Sequence, residues 1–148
     1  MLLKKIGMKN FRQFYGEQEI EFSVDRKKNV TLVHAENGVG KTTLLNALLW
    51  CFYKDHTARF ENSENIVSNQ AVEEDDFDAS VEVSFEHDGN DYLVSRKINE
   101  KFSEENFDAF LIKRGNYERL LSPNVFVKSV IPREMSEYFF FDGEYAET

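Results

Sequence analysis

The fold of this chain is decided by one stretch, His34-Ala35-Glu36-Asn37-Gly38-Val39-Gly40-Lys41-Thr42-Thr43. A short apolar run at residues 30–33 comes before it, and a longer apolar segment at residues 44–50 follows it. These patterns predict a strand, a glycine-rich turn and a helix in that order, which is the arrangement of a phosphate-binding loop.

Glycines set the backbone of the predicted loop. Gly38 and Gly40 have no Cβ, so the main chain can approach a ligand closely at those positions. Successive backbone N–H groups from Asn37 onward can then point into one concavity and hold a polyphosphate at the helix N-terminus. The usual pattern begins with a further glycine, and Ala35 stands in its place. An alanine is tolerable there if its φ stays negative.

The side chains after the glycines supply charge and a metal ligand. Lys41 is placed to reach the β- and γ-phosphates of a nucleotide, and the Thr42 hydroxyl is placed to bind Mg²⁺. Thr43 belongs to the same predicted nucleotide-binding set. The alternative is a glycine-containing connection between a strand and a helix that binds nothing.

Composition limits the possible functions. The chain has 148 residues, which suits one domain that buries about two-thirds of its unfolded surface. Its formal charge of −9, from 18 basic and 27 acidic residues, does not favour nucleic-acid binding by the surface as a whole. The single cysteine, Cys51, argues against a disulfide framework and is expected to be a small buried apolar residue. Because no apolar run reaches membrane-spanning length and no signal peptide is recognisable, we expect a cytoplasmic protein without a membrane partner.

Hydrophobic alternation predicts the remaining elements. Strands are expected near residues 2–9 and 18–24, and two hairpins are expected around Asp88-Gly89 and around Arg114-Gly115-Asn116. The helix after the loop should end near Tyr53, a shorter helix should cover residues 124–130, and the acidic run at 73–76 should be a solvated loop. The predicted fold class is α/β, a P-loop NTPase lobe with a mixed sheet around a buried helix and an antiparallel β-subdomain of hairpins.

The aromatic tail forms a second group of candidate site residues. Residues 138–141, Tyr-Phe-Phe-Phe, predict a buried strand that ends at Asp142 and Glu144. In one interpretation this is a Walker B strand, whose carboxylate holds Mg²⁺ while a nearby glutamate activates water. In a second, it is a sensor segment beside the Mg²⁺ and the γ-phosphate, and in a third it is a plain acidic turn. Both functional interpretations make Asp142 and Glu144 catalytic candidates and Asp142 a metal ligand.

These segments resemble a known family. The first strand with Asn10-Phe11-Arg12, the loop at residues 37–43 and the strand at residues 92–96 resemble the N-terminal ATPase lobe of SMC-like proteins in the ABC-ATPase class, which include the SbcC, RecF and RecN types. The tail, Ile131-Pro132 with residues 139–144, looks most like DndD, the ATPase of bacterial DNA phosphorothioate systems, and its relatives in anti-phage defence. The resemblance covers nearly the whole chain.

The resemblance implies roles for two further positions. Residues 138–144 would be the Q-loop, where Asp142 takes the place of a glutamine that touches Mg²⁺ and the attacking water. Arg12 would lie close to the nucleotide, although a surface cation in a turn explains it equally well. The signature Ser-Gly-Gly is absent from the sequence, and none of the three histidines stands where a switch histidine belongs.

We therefore expect residues 1–148 to be one N-terminal lobe of an incomplete ATPase head, without its coiled coil and C-terminal lobe. It would be either a natural split subunit or a piece of a longer protein. By the resemblance it should bind ATP and Mg²⁺ but hydrolyse ATP poorly alone, because hydrolysis would require the C-terminal lobe and a second head in a homodimer.

The expected function of the full assembly is to couple ATP-driven head engagement to DNA processing, in phosphorothioation, phage defence or repair. The alternative is a non-hydrolysing nucleotide-binding interaction module with a regulatory role. A GTPase is excluded by the lack of Asn-Lys-x-Asp and Asp-x-x-Gly motifs. DNA contact by this chain alone is a weaker expectation, resting on basic residues of the hairpins that solvated strand faces also explain, namely Arg96, Lys97, Lys101, Lys113, Arg114 and Arg119.

Overall fold

The computed structural model describes residues 1–34, 36, 40–56 and 65–140, without the side chain of residue 137. Its strands are β1 (Leu2–Phe11), β2 (Phe14–Glu21), β3 (Asp78–His87), β4 (Asn90–Asn99), β5 (Glu104–Lys113) and β6 (Asn116–Arg119). They form a six-stranded sheet in the order β2-β1-β3-β4-β5-β6. Every neighbouring pair in it is antiparallel. The predicted α/β class is confirmed. The predicted mixed sheet with a β-subdomain of hairpins is instead one antiparallel sheet over the described strands, because the hairpins extend the sheet that carries β1.

Both predicted hairpins are confirmed. His87 pairs with Asn90 across Asp88-Gly89, and Lys113 pairs with Asn116 across Arg114-Gly115. In each turn both central residues have positive φ, between 50° and 78°. That conformation matches the right-handed twist of the flanking strands and favours a glycine at the second central position.

The β1–β2 connection is tighter than the sequence indicates. Phe11 pairs with Phe14 and Ile6 with Ile20, so β2 begins only two residues after β1 ends. The strand predicted at 18–24 is therefore shifted toward the N-terminus, and Val24 lies beyond it with 49% of its surface exposed.

The helix after the glycine-rich stretch, α1 (Lys41–Tyr53), forms the centre of the core. Its buried side chains include Trp50, Cys51 and Phe52. They pack on the face of the sheet that carries Val83 and Phe85. Apolar residues of β3 alternate with polar ones, so the polar set lies on the opposite face. The hydrophobic core thus fixes α1 against the middle of the sheet.

Three shorter helices complete the described structure: α2 (Asn69–Glu73), α3 (Pro123–Val130) and α4 (Ser136–Phe139), with a 3₁₀ turn at Arg133–Met135. The predicted helix at 124–130 is confirmed and begins at Pro123, because proline suits the first helical position. Phe126 of α3 stacks on Phe85 with ring centroids 6.2 Å apart, so α3 covers the same sheet face as α1.

The buried strand predicted at residues 138–141 is wrong over its described part. Ser136–Phe139 is helical, and Tyr138 and Phe139 are 82% and 59% exposed. Phe140 alone is buried, with its ring 5.9 Å from that of Phe52. The Phe140 N–H donates to the Ser136 carbonyl at 2.7 Å, which closes a helical turn in place of the predicted strand pairing.

The strand predicted at residues 30–33 is also wrong for the described chain. These residues are not assigned to any strand, and Val30 and Leu32 are 84% and 88% exposed. A strand requires a partner for its N–H and C=O groups, and in the part of the chain that the structure describes none pairs with this segment.

Candidate functional site

Gly40, which precedes α1, is buried under the turn between β1 and β2. Gly40 precedes the helix with φ +113°, and an added Cβ there would lie 2.9 Å from Cζ of Phe14 and 3.3 Å from Nε2 of Gln13. A side chain at this position would therefore meet both an unfavourable φ and an occupied space. Glycine at 40 lets the hairpin close over the start of the helix.

The first turn of α1 is arranged to receive an anion. Lys41 and Thr42 are exposed, whereas Thr43 is buried. Among the described residues no side chain caps this helix end by a hydrogen bond, and the first turn carries no acidic residue. A helix N-terminus carries a partial charge of about +0.5, and Lys41 adds a full charge beside it. The local field therefore favours phosphate or another anion.

Two side-chain hydrogen bonds order this turn. The Thr43 hydroxyl donates to Oε1 of Gln13 at 2.7 Å, and Nδ2 of Asn46 donates to the Thr42 carbonyl at 2.9 Å. Gln13 was not identified from the sequence, because a polar residue in a hairpin turn is expected for reasons unrelated to a site. Its contact with Thr43 makes it part of the site's frame.

Hydrogen bonds from Arg12 attach the β1–β2 turn to residues 65 and 66. Arg12 has φ +54°, its backbone N–H donates to the Ile66 carbonyl at 2.8 Å, and its Nη1 donates to the Asn65 carbonyl at 2.8 Å. Arg12 therefore lies next to the residue that contacts Thr43, and its guanidinium is directed to the segment that starts at residue 65. Its predicted nucleotide contact stays a prediction.

A buried asparagine fixes the same turn to the acidic run. Asn10 is 2% exposed, its Nδ2 donates to Oδ2 of Asp76 at 3.0 Å, and its Oδ1 accepts from the Gly16 N–H at 2.9 Å. Tyr15 also donates to Glu74. The acidic run was predicted to be a solvated loop; residues 73–75 are exposed as expected, but the Glu74 and Asp76 carboxylates also bind the hairpin.

A cavity of about 410 Å³ opens beside the turn. Its lining consists of Arg12, Gln13, Tyr15, Asn65, Val67, Ser68, Asn69 and Gln70. None of these residues has a carboxylate, so the cavity offers hydrogen bonds and one guanidinium to a polar or anionic ligand.

The structure brings together part of the predicted site. Gly40, Lys41, Thr42 and Thr43 lie at the start of α1, and Arg12 lies one residue from the side chain that binds Thr43. Asn37, Gly38, Asp142 and Glu144 lie outside the described residues, as does Ala35. Whether the two predicted carboxylates meet the helix N-terminus is therefore still a prediction.

The opposite end of α1 is held by a buried arginine. Arg96 is 5% exposed, its Nε donates to the Cys51 carbonyl at 3.1 Å and its Nη1 to Oε1 of Glu105 at 2.6 Å. Its guanidinium also lies 4.0 Å from the centroid of Phe107. The inclusion of Arg96 among exposed basic residues was wrong, because its charge is used inside the protein.

Glu105 accepts hydrogen bonds from both Arg96 and Lys54, and so connects the buried arginine to the end of α1. Burial alone would raise the pKa of its carboxyl, but hydrogen bonds from Lys54 and Arg96 and their charges outweigh that effect and lower it. The remaining cations of the hairpins are partly paired: Lys97 lies 3.5 Å from Glu82 and Arg119 lies 3.4 Å from Asp108.

Cys51 is confirmed as a buried small residue. Its thiol is fully buried and contacts the carbonyls of Val81 and Val94 at 3.4 and 3.7 Å. Burial raises the pKa of this thiol to about 12, so a reactive thiolate is disfavoured.

Neither a preformed metal cluster nor a membrane helix occurs in the part of the chain that the structure describes. No group of three or more His, Cys, Asp or Glu side chains there could hold a metal ion. No described helix combines the length and apolar character needed to cross a bilayer.

Comparison with known protein families identifies the family of this chain. The sequence profile of the AAA domain matches residues 5–144. The chain belongs to the AAA domain family. That family implies nucleotide binding, typically with Mg²⁺.

Two kinds of curated relative match about two-thirds of the chain. It is 34% identical over 99 residues to the DNA double-strand break repair Rad50 ATPase of Archaeoglobus fulgidus, covering 67% of this chain and 10% of that protein. It is 34% identical over 98 residues to the DNA replication and repair protein RecF of Leptospira biflexa, covering 66% of this chain and 24% of that protein. The chain thus spans about a tenth to a quarter of these relatives.

Solved structures agree on the fold. A structure described as the structural biochemistry of ATP-driven dimerization and DNA-stimulated activation of SMC ATPases superposes with a TM-score of 0.61 at 16% identity, covering 88% of this chain and 78% of that one. The SMC head domain from Thermotoga maritima gives a TM-score of 0.52 at 26% identity, covering 90% of this chain and 42% of that one. These superpositions confirm the predicted fold, that of the N-terminal lobe of an SMC-like ATPase.

Proposed function

We propose that this chain is the ATP- and Mg²⁺-binding N-terminal lobe of an SMC-like ATPase head, which couples ATP-driven head engagement to DNA processing. The observation that carries the proposal is the start of α1. There a left-handed Gly40 lies under Phe14, and Lys41 and Thr42 are exposed at a helix N-terminus that no described side chain caps.

The residues at this position fit a nucleotide polyphosphate. Backbone N–H groups of the first helical turn can donate to phosphate oxygens, and Lys41 can neutralise their charge. Thr42 would contribute a hydroxyl to Mg²⁺, which prefers oxygen ligands and is bound in such sites largely by phosphates and water. Asp142 is proposed as the second protein ligand, with Glu144 beside it. These assignments agree with the nucleotide binding that the AAA family implies.

Nucleotide titration tests the proposal. Lys41→Ala should weaken ATP binding about 10- to 100-fold, because charge-assisted hydrogen bonds contribute about 1.5–3 kcal/mol. Thr42→Val should weaken binding only when Mg²⁺ is present. Lys128→Ala, which removes an exposed lysine from the last turn of α3, is the matched control and should bind as the wild type does. Equal affinity of the wild type and Lys41→Ala would refute the proposal.

Hydrolysis and head assembly belong to the complete protein in this proposal. Residues 30–33 expose Val30 and Leu32 almost fully, although Val, Thr and Leu side chains favour a half-buried or buried strand. We propose that a C-terminal lobe supplies the missing neighbouring strand, and that two such heads then clamp ATP as a homodimer. Backbone amides at 30–33 should gain protection from hydrogen exchange when that lobe is added, and unchanged exchange would contradict this part.

DNA is proposed as a partner of the full assembly. The relatives named Rad50 and RecF act in DNA repair by their names, which favours a repair role. The resemblance of the tail to DndD favours phosphorothioate or anti-phage systems. The genes beside the one for this chain separate the two: modification or restriction genes support the second, and nuclease or recombination genes support the first.

Within this chain the cations proposed for a DNA contact are the exposed ones of the two hairpins and the turn between them, Lys97, Lys101, Lys113, Arg114 and Arg119. Phosphate contacts predict an affinity that falls steeply as salt rises. An affinity that does not change with salt would exclude this mode of contact.

A further inference from the structure

The Thr43 hydroxyl is engaged by a side chain of the β1–β2 turn. Thr43 is 6% exposed, and its Oγ1 donates to Oε1 of Gln13 at 2.7 Å. Gln13 itself is exposed, so its amide covers the hydroxyl from the solvent side. The Phe14 ring against Gly40 keeps this part of the hairpin over the helix start.

Hydroxyl chemistry makes this contact exclusive. A threonine hydroxyl has one proton to donate, and the oxygens of an ionised phosphate only accept. Thr43 can therefore donate to Gln13 or to a phosphate, but not to both at once. A ligand that accepts this proton therefore requires the Gln13 amide oxygen to leave the hydroxyl, by rotation of the amide or by movement of the side chain.

We propose that the Gln13 amide oxygen competes with the nucleotide for the Thr43 proton, so that binding requires this oxygen to leave the hydroxyl. This inference rests on the proposed function and adds a residue that limits the affinity of the free lobe. In this proposal Gln13 covers Thr43 until nucleotide binds, and its amide oxygen then leaves the hydroxyl.

The turn that contains Gln13 is hydrogen-bonded to a neighbouring segment, residues 65–68. The next residue, Arg12, is bonded through its backbone N–H to the Ile66 carbonyl and through its guanidinium to the Asn65 carbonyl. On the other side of Phe11, the Asn10 carbonyl accepts from the Ser68 N–H at 2.7 Å. A shift of the turn therefore acts directly on residues 65–68.

A double-mutant cycle read by calorimetric titration with Mg·ATP tests the competition. Gln13→Ala should bind about 2- to 10-fold tighter than the wild type, since a typical hydrogen bond contributes about 0.5–1.5 kcal/mol net. Thr43→Val removes the contested proton at nearly the same shape, and in that background Gln13→Ala should change affinity less than about 2-fold. Gln18→Ala, a substitution of an exposed glutamine in β2, is the control and should bind like the wild type.

A second variant separates competition from simple loss of packing. Gln13→Glu keeps an acceptor for Thr43 and adds a negative charge beside the phosphates, so it should bind Mg·ATP more weakly than the wild type. The inference is overturned if Gln13→Ala binds equally or more weakly than the wild type while Lys41→Ala still weakens binding. It is also overturned if Gln13→Ala tightens binding equally in the Thr43→Val background. If the wild type itself binds no nucleotide, the proposed function fails, and the inference fails with it.

Discussion

Replacement of Gly40 by alanine should destabilise this chain more than the same replacement at any other described glycine. Gly40 has φ +113°, and an added Cβ would lie 2.9 Å from Cζ of Phe14. Gly115 has φ +78° with nothing within 4 Å, and Gly7 has neither a positive φ nor a neighbour within 4 Å. These three positions form a series that separates backbone strain from steric overlap.

The expected magnitudes follow from that geometry. At Gly7, in a strand, alanine should be neutral or stabilise by about 0.5 kcal/mol. At Gly115 the left-handed conformation alone should cost about 1–2 kcal/mol. At Gly40 the overlap with the Phe14 ring adds about 1–3 kcal/mol for overpacking, which gives a total of about 2–5 kcal/mol. That is a large fraction of the stability of a typical domain, about 5–15 kcal/mol.

Urea unfolding followed by the fluorescence of Trp50, which is buried in α1, measures all three free energies. In a Phe14→Leu background, which removes the end of the ring, Gly40→Ala should cost only the backbone term, close to that of Gly115→Ala. The reasoning is refuted if Gly40→Ala costs no more than Gly115→Ala. A cost unchanged by Phe14→Leu would refute the steric part alone.

Three further predictions concern the C-terminal end of α1. Arg96→Met should lower the free energy of unfolding by about 2–4 kcal/mol, because it breaks a buried ion pair and a helix-end hydrogen bond. The control is Lys97→Met at the exposed neighbouring residue, which should change the free energy of unfolding by less than about 0.5 kcal/mol. Equal losses of stability in the Arg96→Met and Lys97→Met variants would contradict this prediction. The pKa of Glu105 is lowered on folding, so its contribution is present above its ordinary pKa and lost as pH falls through the folded value. The difference in unfolding free energy between the wild type and Glu105→Gln should therefore shrink as pH falls below the ordinary glutamate pKa, and a difference that does not change with pH would contradict this. Tyr53→Phe, which removes a hydrogen bond to the Ile131 carbonyl of 2.8 Å, should cost about 1 kcal/mol in the same assay.

Local signals in the sequence predicted the hairpins and the central helix. Asp88-Gly89 and Arg114-Gly115 specify their turns through positive φ, and the apolar residues after Lys41 specify a buried helix. Each of these elements is determined by residues close together in the chain.

Segments whose structure depends on distant partners were predicted less well. Residues 30–33 and the aromatic tail both have the composition of strands, but composition cannot supply the neighbour that a strand needs. Phe140 is buried against Phe52, and the adjacent Tyr138 and Phe139 are exposed. Residues Ser136–Phe139 instead form one helical turn, and the Phe140 N–H donates to the Ser136 carbonyl.

The candidate site shows the same division. Gly40, Lys41 and Thr42 were found because a glycine-rich turn has a recognisable pattern. Gln13 was missed because its role comes from the packing of the hairpin on α1, thirty residues away in sequence. Contacts of that kind leave no periodicity or spacing in the sequence.

The binding of a polyphosphate at the N-terminus of α1 is tested most directly by backbone amide chemical shifts of the ¹⁵N-labelled chain during titration with Mg·ATP. The largest changes should occur at Lys41, Thr42 and Thr43 and in the β1–β2 turn. Unchanged shifts at these residues, with changes centred instead on Lys54 and Glu105 at the other end of the helix, would contradict the account.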